Sequence, residues 1–223
     1  MENQKLTVNK AGVKLDLIHG IPRIIGISGK IGSGKDTLEK KLRSEIGLRL
    51  LELMHNKIYH GGGCIKNLKF ADALKMASAE ITGTTKDDNY TSEGKGKIIE
   101  RLGYSIGTFQ QILGKLLRDH VHQDIWTMPI VSIIKKNPTW FCIITDCRFK
   151  NEAKIIHDLG GIIIRLNRDP SKISEESTAG RDLNHISETD LDDFPDFDLV
   201  IQNDWSIRDM TKKASDFILP PYD

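Results

Sequence analysis

Residues 24–37, IIGISGKIGSGKDT, constrain the fold more than any other stretch of the chain. The apolar, β-branched run from Arg23 to Gly29 indicates a strand buried on both faces. The apolar spacing from Lys35 to about His55 indicates an amphipathic helix. Between them, the chain has the spacing G-x-x-x-x-G-K. This spacing, set between a strand and a helix, predicts a phosphate-binding loop.

The backbone of such a loop explains what it binds. Glycines let successive N–H groups point at one anion, and the N-terminus of the following helix adds partial positive charge. We expect Lys35 to reach the β- and γ-phosphates of a nucleotide. The predicted nucleotide-binding residues are Gly29, Lys30, Gly32, Ser33, Gly34, Lys35, Asp36 and Thr37. The alternative is a glycine-rich turn that only links the strand to the helix.

Asp36 occupies the position where such loops usually carry the hydroxyl that binds Mg²⁺. A carboxylate is a hard oxygen ligand, so Asp36 is a candidate ligand of the metal, directly or through water. Thr37 is then available for the α-phosphate. Alternatively, Asp36 is an acidic residue favoured by the dipole of the helix N-terminus.

The rest of the chain predicts an α/β fold. Further buried strands are predicted in WFCIITD, GIIIRL and FDLVIQN, and they alternate with helical patterns, as in a doubly wound sheet. The middle third is mainly helical, and the polar residues 82–97 within it are predicted to form an exposed loop. QDIWTMPIVSIIKK is predicted as one helix.

The length of 223 residues favours one domain with a lid or insertion. We expect an N-terminal appendage at residues 1–22 and a single domain at 23–223. Within that domain, a helical acceptor-binding region is expected at about 72–136 and a lid at about 167–193.

The formal charge of +1 argues against a nucleic-acid or membrane surface defined by bulk charge. No apolar run approaches the roughly 18 residues of a membrane span, and the first ten residues are polar, so we expect a cytoplasmic protein. Three cysteines without metal-ligand spacing argue against a disulfide framework or a zinc site. The oligomeric state stays open, a homodimer included.

Asp146 and Arg148 follow a predicted strand, where α/β sheets place ligand-binding residues. A carboxylate there can hold Mg²⁺ through water or orient an acceptor, and a guanidinium can clamp a phosphate with two hydrogen bonds. The alternative is a structural Asp–Arg pair that caps the next helix.

Arginines in and beside the polar stretch define the expected lid. Arg165, Arg168 and Arg181 can neutralise charge on a transferring phosphoryl group once the lid closes. The alternative is a solvated surface loop. His185 and Glu188 are candidates for either the site or a helix cap.

Five segments carry a resemblance to a known family. They are GKDT in the loop, KFADALK from Lys69 to Lys75, QQILGKLLRD leading into QDIW, TDCRFKNEA from Thr145 to Ala153, and HISE from His185 to Glu188. Together they resemble the deoxynucleoside monophosphate kinases of bacteriophages and large DNA viruses. Animal phosphomevalonate kinases are similar in having Asp after the loop lysine, so the resemblance leaves the acceptor open.

The resemblance implies a P-loop kinase fold, a three-layer α/β sandwich with a central parallel sheet. It implies ATP and Mg²⁺ as cofactors, a deoxynucleoside 5′-monophosphate as acceptor and a diphosphate as product, in host cytoplasm if the protein is viral. The implied catalytic residues are Lys35, Asp146, Arg148 and Arg168, with Asp36 and Asp146 as metal ligands. The implied acceptor-binding residues are Asp72, Lys75, Gln111, Arg118, Asp124, Trp126, Arg148 and Glu152.

Two other functions stay open from the sequence. A P-loop kinase of this type can act on another phosphorylated acceptor, such as phosphomevalonate or dephospho-coenzyme A. A non-catalytic protein can use the same loop to bind a nucleotide. The acceptor-like segments between the loop and Asp146 favour an enzyme.

Overall fold

The computed structural model describes residues 7–58, 64–173, 185–203 and 206–219. The chain divides into an α/β unit, Met1–Leu68 with Ile134–Asp223, and a helical unit, Lys69–Ile133. The strands are β1 Leu17–Ile18, β2 Ile21–Pro22, β3 Ile24–Gly29, β4 Ile65–Leu68, β5 Ile98–Ile99, β6 Tyr104–Ser105, β7 Phe141–Cys147, β8 Ile162–Asn167 and β9 Leu199–Gln202. The helices are α1 Lys35–His55, α2 Ala71–Thr82, α3 Lys86–Tyr90, α4 Ser92–Gly96, α5 Ile106–His120, α6 Met128–Lys136, α7 Lys150–Asp158, α8 Ile186–Thr189 and α9 Ile207–Ile218.

The sheet of the α/β unit has five parallel strands in the order β4-β7-β3-β8-β9. β3 lies at the centre, and all six of its residues are buried. The carboxyl ends of parallel strands meet at one edge of a sheet, which is where α/β proteins bind ligands. The glycine-rich loop after β3 therefore starts at the middle of that edge.

Helices cover both faces of this sheet. The apolar spacing of α1 puts Leu38, Leu42 and Ile46 on one face, and all three are fully buried in the core with the inward residues of the strands. α9 packs beside α1. On the opposite face, α7 packs against β3 and β8, where Ile156 lies over Gly26. The predicted α/β sandwich with a central parallel sheet is confirmed.

Residues 7–22 pack into the α/β unit. Leu15 and Ile21 are buried in the core that α1 shares with the sheet. The buried Asn9 side chain donates hydrogen bonds to the carbonyls of His157 and Gly161, both at 3.0 Å. The described part of the segment predicted as an appendage thus contributes apolar and polar contacts to the unit.

Two predictions in the middle third were wrong. The polar residues 82–97 form the short helices α3 and α4 rather than an open loop, because Thr85 and Thr91 cap them. The helix predicted to begin near Gln123 begins at Met128, and Asp124 and Trp126 lie in the turns before it. None of the helices in the described ranges is long and apolar enough to cross a lipid bilayer.

A substitution at Gly160 tests how closely the N-terminal segment packs against the turn after α7. Gly160 has a positive φ of 74°, and a Cβ there would lie 2.8 Å from both the Asp16 nitrogen and the Lys14 oxygen. Gly12 has nearly the same φ, 76°, with open space around it. We expect Gly160→Ala to lower the free energy of unfolding by about 2 to 4 kcal/mol and Gly12→Ala by about 1 kcal/mol. Urea unfolding measures both, and equal losses would contradict the described packing.

Candidate functional site

The glycine-rich loop passes directly into α1 without a side-chain cap. Gly34 at the N-cap has a φ of 98°, and a Cβ there would lie 2.7 Å from the Asn203 side-chain nitrogen. Asn203 donates to the Ser33 carbonyl at 2.8 Å, which holds the loop to the end of β9. Gly34 therefore offers no side-chain acceptor to the first N–H groups of α1, which suits a site for phosphate oxygens.

Lys35 lies over the loop from the first residue of α1. Its ammonium donates to the carbonyls of Gly29 at 2.6 Å and Lys30 at 2.8 Å. Its pKa is lowered to about 8, mainly by burial and next by the charge of Arg148, whereas Glu188 and Asp36 partly oppose the change. A cation with a lowered pKa gains stability from an added anion, which suits a phosphate-binding role.

A second group of charges surrounds the other side of the loop. Asp192 joins Lys30, at 2.7 Å, to Arg165, at 2.9 Å. Arg165 is 7% exposed, donates to the Ser28 hydroxyl at 3.1 Å and lies over the Phe197 ring. Arg165 is therefore fixed on the sheet rather than carried by a lid.

Arg148 lies at the carboxyl end of β7 and contacts Glu188. The carboxylate of Glu188 also accepts from the Ile31 backbone N–H in the loop, at 2.9 Å. The buried Glu152 accepts from the backbone N–H groups of Arg148 and Phe149, at 2.8 and 3.1 Å. Glu152, predicted to bind the acceptor, thus holds the turn that carries Arg148.

Arg168 follows β8 and donates to the Gly32 carbonyl in the loop, at 3.1 Å. Beside it lies a cavity of about 410 Å³. Its lining residues are Lys30, Ser33, Arg165, Leu166, Asn167, Arg168, Ile173, Leu191, Asp192, Phe194, Phe197 and Val200. The cavity combines cations, an amide and aromatic rings next to the loop. The predicted lid arginine Arg181 lies outside the described residues.

The two predicted metal ligands lie on elements of the sheet's carboxyl edge. Asp36 is exposed in the first turn of α1, next to the half-buried Thr37, and Asp146 is half-buried near the end of β7. Within the described ranges, no group of three or more His, Cys, Asp or Glu side chains forms a complete metal site. Carboxylates are ligands that Mg²⁺ prefers, and proteins often bind this ion with few side chains together with substrate phosphates.

The helical unit contains a cluster around Tyr90. The Lys75 ammonium lies 4.6 Å from the centre of the Tyr90 ring. Burial raises the pKa of Tyr90 to about 12, and the charge of Asp72 and its hydrogen bond to the hydroxyl add to this. One carboxylate oxygen of Asp72 is buried without a hydrogen-bond partner among the described residues. Asp72 and Lys75, predicted together from the sequence, thus meet on a tyrosine that the sequence did not single out.

The other predicted acceptor residues of this unit have different surroundings. Trp126 is 7% exposed and donates from its ring nitrogen to the Gly114 carbonyl, at 3.1 Å, so its contacts are those of core packing. Gln111 is exposed on α5, whereas its neighbour Gln110 is buried and bonds Asn89. Arg118 is half-buried near the end of α5, and Asp124 is half-buried in the turn before α6.

Lys30 and Lys35 belong to the glycine-rich loop, Arg168 contacts the loop, and Arg148 is joined to it through Glu188. Glu188, a candidate for either the site or a helix cap, contacts the loop, and Asp192, which the sequence did not single out, contacts Lys30. His185 caps α8 by accepting from Ser187 N, at 3.2 Å, while Glu188 reaches the loop. The HISE segment, cited for the family resemblance, already contained the signal for Glu188.

The sequence profile of the deoxynucleotide monophosphate kinase family matches residues 49–214. This match covers well over half of the chain and begins after the glycine-rich loop. The chain belongs to the deoxynucleotide monophosphate kinase family. The family match and the glycine-rich loop lie in different parts of the chain, and both indicate a kinase. The enzyme is a nucleoside monophosphate kinase.

Two further similarities were found. A protein of Acanthamoeba polyphaga mimivirus, assigned as a deoxynucleotide monophosphate kinase, is 29% identical over 200 residues, with 83% of this chain and 91% of that protein covered. The crystal structure of shikimate kinase from Bacteroides thetaiotaomicron has a TM-score of 0.35 and 13% identity, covering 86% of this chain and 96% of its own. The mimivirus protein is the more informative of the two.

The lowered pKa of Lys35 predicts a pH dependence of stability. Its folded pKa, about 8, lies below the ordinary value of 10.5. Between these values the unfolded chain binds more protons, so stability rises with pH. Relative to Lys35→Met, the wild-type free energy of unfolding should rise by about 3 kcal/mol from pH 7 to pH 10.5.

Urea unfolding at several pH values measures this difference. Lys40→Met removes an exposed lysine of the same helix and keeps Lys35, so the difference in free energy of unfolding between wild type and Lys40→Met should not change with pH. A constant difference between wild type and Lys35→Met would mean that Lys35 is not buried among these charges.

Proposed function

We propose that this enzyme transfers the γ-phosphoryl group of ATP to the 5′-phosphate of a deoxynucleoside monophosphate. The products are the deoxynucleoside diphosphate and ADP. The observation that carries the proposal is the gathering of Lys35, Arg148 and Arg168 on one glycine-rich loop of a chain from this family.

Phosphoryl transfer depends on positioning and on charge. The transferring group carries negative charge on its equatorial oxygens, and fixed cations stabilise that charge. In this proposal, the loop N–H groups and Lys35 hold the β- and γ-phosphates, and Arg148 and Arg168 neutralise the transferring group. The Thr37 hydroxyl contacts the α-phosphate. An oxygen of the acceptor phosphate is the nucleophile, so the reaction needs no covalent enzyme intermediate.

Asp36 and Asp146 are the proposed protein ligands of Mg²⁺, directly or through water. Bound Mg²⁺ would supply positive charge that offsets the negative charge of the donor phosphates. The protein would contribute two carboxylates at the edge of the sheet, and the donor phosphates would add further negatively charged oxygens around the metal.

The helical unit is the proposed source of contacts with the acceptor nucleoside. Its candidates are Asp72 and Lys75 around Tyr90, together with Arg118 and Asp124. The exposed Gln111 is a weaker candidate, and the buried Trp126 supports this unit by packing. The fixed turn at Glu152 supports Arg148 on the phosphate side.

A coupled ADP-release assay tests this function. We expect ADP release with ATP and Mg²⁺ to rise with at least one of dGMP, dTMP, dAMP, dCMP and the hydroxymethylated dCMP. Lys35→Met should lower kcat at least about 100-fold because it removes charge that acts on the transition state. Lys40→Met, which removes an exposed charge of the same helix, should match wild type.

The assay also includes GMP, phosphomevalonate and dephospho-coenzyme A as acceptors. Stimulation by phosphomevalonate or dephospho-coenzyme A alone would contradict the proposed acceptor. Full activity in Lys35→Met would contradict the proposed role of the loop. If no acceptor stimulates ADP release, the protein binds a nucleotide without this catalysis.

A further inference from the structure

Glu188 makes contacts that a helix cap does not explain. It belongs to α8, whose start is capped by the His185 ring nitrogen. Its carboxylate instead points at the glycine-rich loop. One oxygen accepts from the Ile31 backbone N–H, at 2.9 Å, and the other pairs with a terminal nitrogen of Arg148. Glu188 therefore joins Arg148 to the loop.

The side chains of Glu188 and Arg148 are largely withdrawn from water. The Glu188 side chain is 8% exposed and the Arg148 side chain 29%. A carboxylate withdrawn from water is stable only with charged or hydrogen-bonding partners, and both oxygens of Glu188 have one. The negative charge of Glu188 also acts on Lys35 and raises its pKa, against the larger effect of burial. Glu188 thus lies among the cations that the proposed reaction uses.

Arg148 is held at both ends. Its backbone N–H donates to Glu152 at 2.8 Å, and its guanidinium contacts Glu188 and the Ser187 carbonyl, at 3.4 Å for the latter. A long side chain anchored in this way has few alternative rotamers. Its charge is therefore in place before a ligand binds, which is the arrangement that lowers a reaction barrier most.

The same segment repeats this arrangement four residues later. Asp192 joins Arg165 to Lys30, as Glu188 joins Arg148 to the loop. The next residue, Asp193, differs because its side chain is 75% exposed and pairs with Lys150, whose side chain is 49% exposed. Asp193 therefore offers a matched acidic residue that does not touch the loop.

We propose that Glu188 is a positioning residue of this kinase, which holds the Arg148 guanidinium beside the loop for the transferring phosphoryl group. The inference rests on the proposed function. Because Glu188 acts through Arg148, its loss lowers kcat and leaves the affinity for the nucleotide donor nearly unchanged.

Glu188→Gln tests this directly. The amide oxygen can still accept from Ile31, but the charge that holds Arg148 is gone. We expect kcat to fall about 10- to 100-fold, because displacing a catalytic group by about 1 Å has that effect. The KM for ATP should change less than about threefold, since uniform binding is retained. Asp193→Asn should have the kcat of wild type.

A double-mutant cycle separates positioning from a structural role. If Glu188 acts through Arg148, the double variant Arg148→Ala/Glu188→Gln has the same kcat as Arg148→Ala alone. Independent, multiplying losses would overturn the proposal. A lower KM for ATP with unchanged or raised kcat in Glu188→Gln would overturn it too, since Glu188 would then compete with phosphate.

A second readout does not depend on the acceptor. ADP with fluoroaluminate imitates the transferring group on the donor, and its dissociation constant is measured by calorimetry with that of ADP alone. Glu188→Gln should weaken the fluoroaluminate complex at least about 10-fold and ADP little. If wild type transfers phosphate to none of the acceptors but this result holds, the proposed acceptor is wrong and the role of Glu188 stands. Equal weakening of both complexes, or of neither, would overturn that role.

Discussion

The concentration of positive charge around one short loop is the constraint on which this structure depends. Lys30 and Lys35 belong to the loop, Arg168 donates to a loop carbonyl, and Arg148 is joined to the loop through the Glu188 carboxylate. Cations this close repel one another, and burial adds to the cost, as the lowered pKa of Lys35 shows. Each therefore bonds an oxygen of the protein: loop carbonyls for Lys35 and Arg168, and carboxylates for the others.

The cations and the oxygens that bind them come from distant parts of the sequence. The loop leaves β3, Arg148 follows β7, Arg168 follows β8, and Glu188 and Asp192 come from the segment before β9. Parallel strands bring these segments to one edge of the sheet. The proposed site is thus a consequence of strand order, and Asn203 joins the loop to the end of β9.

Much of this fold could be predicted from the sequence because its signals are strong and local. β3 is a continuous apolar run, and α1 repeats its apolar residues at helical spacing over 21 residues. The helices α3 and α4 have five residues each, which is too short to show an apolar periodicity in the sequence. A threonine cap stabilises each of them. The sequence predicts a helix at Trp126 because the apolar spacing of α6 continues toward the N-terminus, ahead of the first residue of that helix.

The site was predictable where spacing carries the chemistry, as in the loop, and less so where a contact joins distant residues. Glu188 lies 40 residues from Arg148, and no local pattern links the two. Similarly, Tyr90 meets Asp72 and Lys75 only through the packing of the helical unit. Arg165 is predicted beside the expected lid, at the end of a strand, but no local pattern predicts that it is buried and pairs with Asp192.

Binding of a non-hydrolysable ATP analogue with Mg²⁺, measured by calorimetry, tests most directly whether the loop holds donor phosphates. Gly34→Ala would place a Cβ 2.7 Å from Asn203 and strain the turn before α1, whereas Gly83→Ala, at φ 67°, has open space after α2. We expect one site in wild type and in Gly83→Ala, and affinity at least about 10-fold weaker in Gly34→Ala. Equal affinity in all three proteins would contradict it.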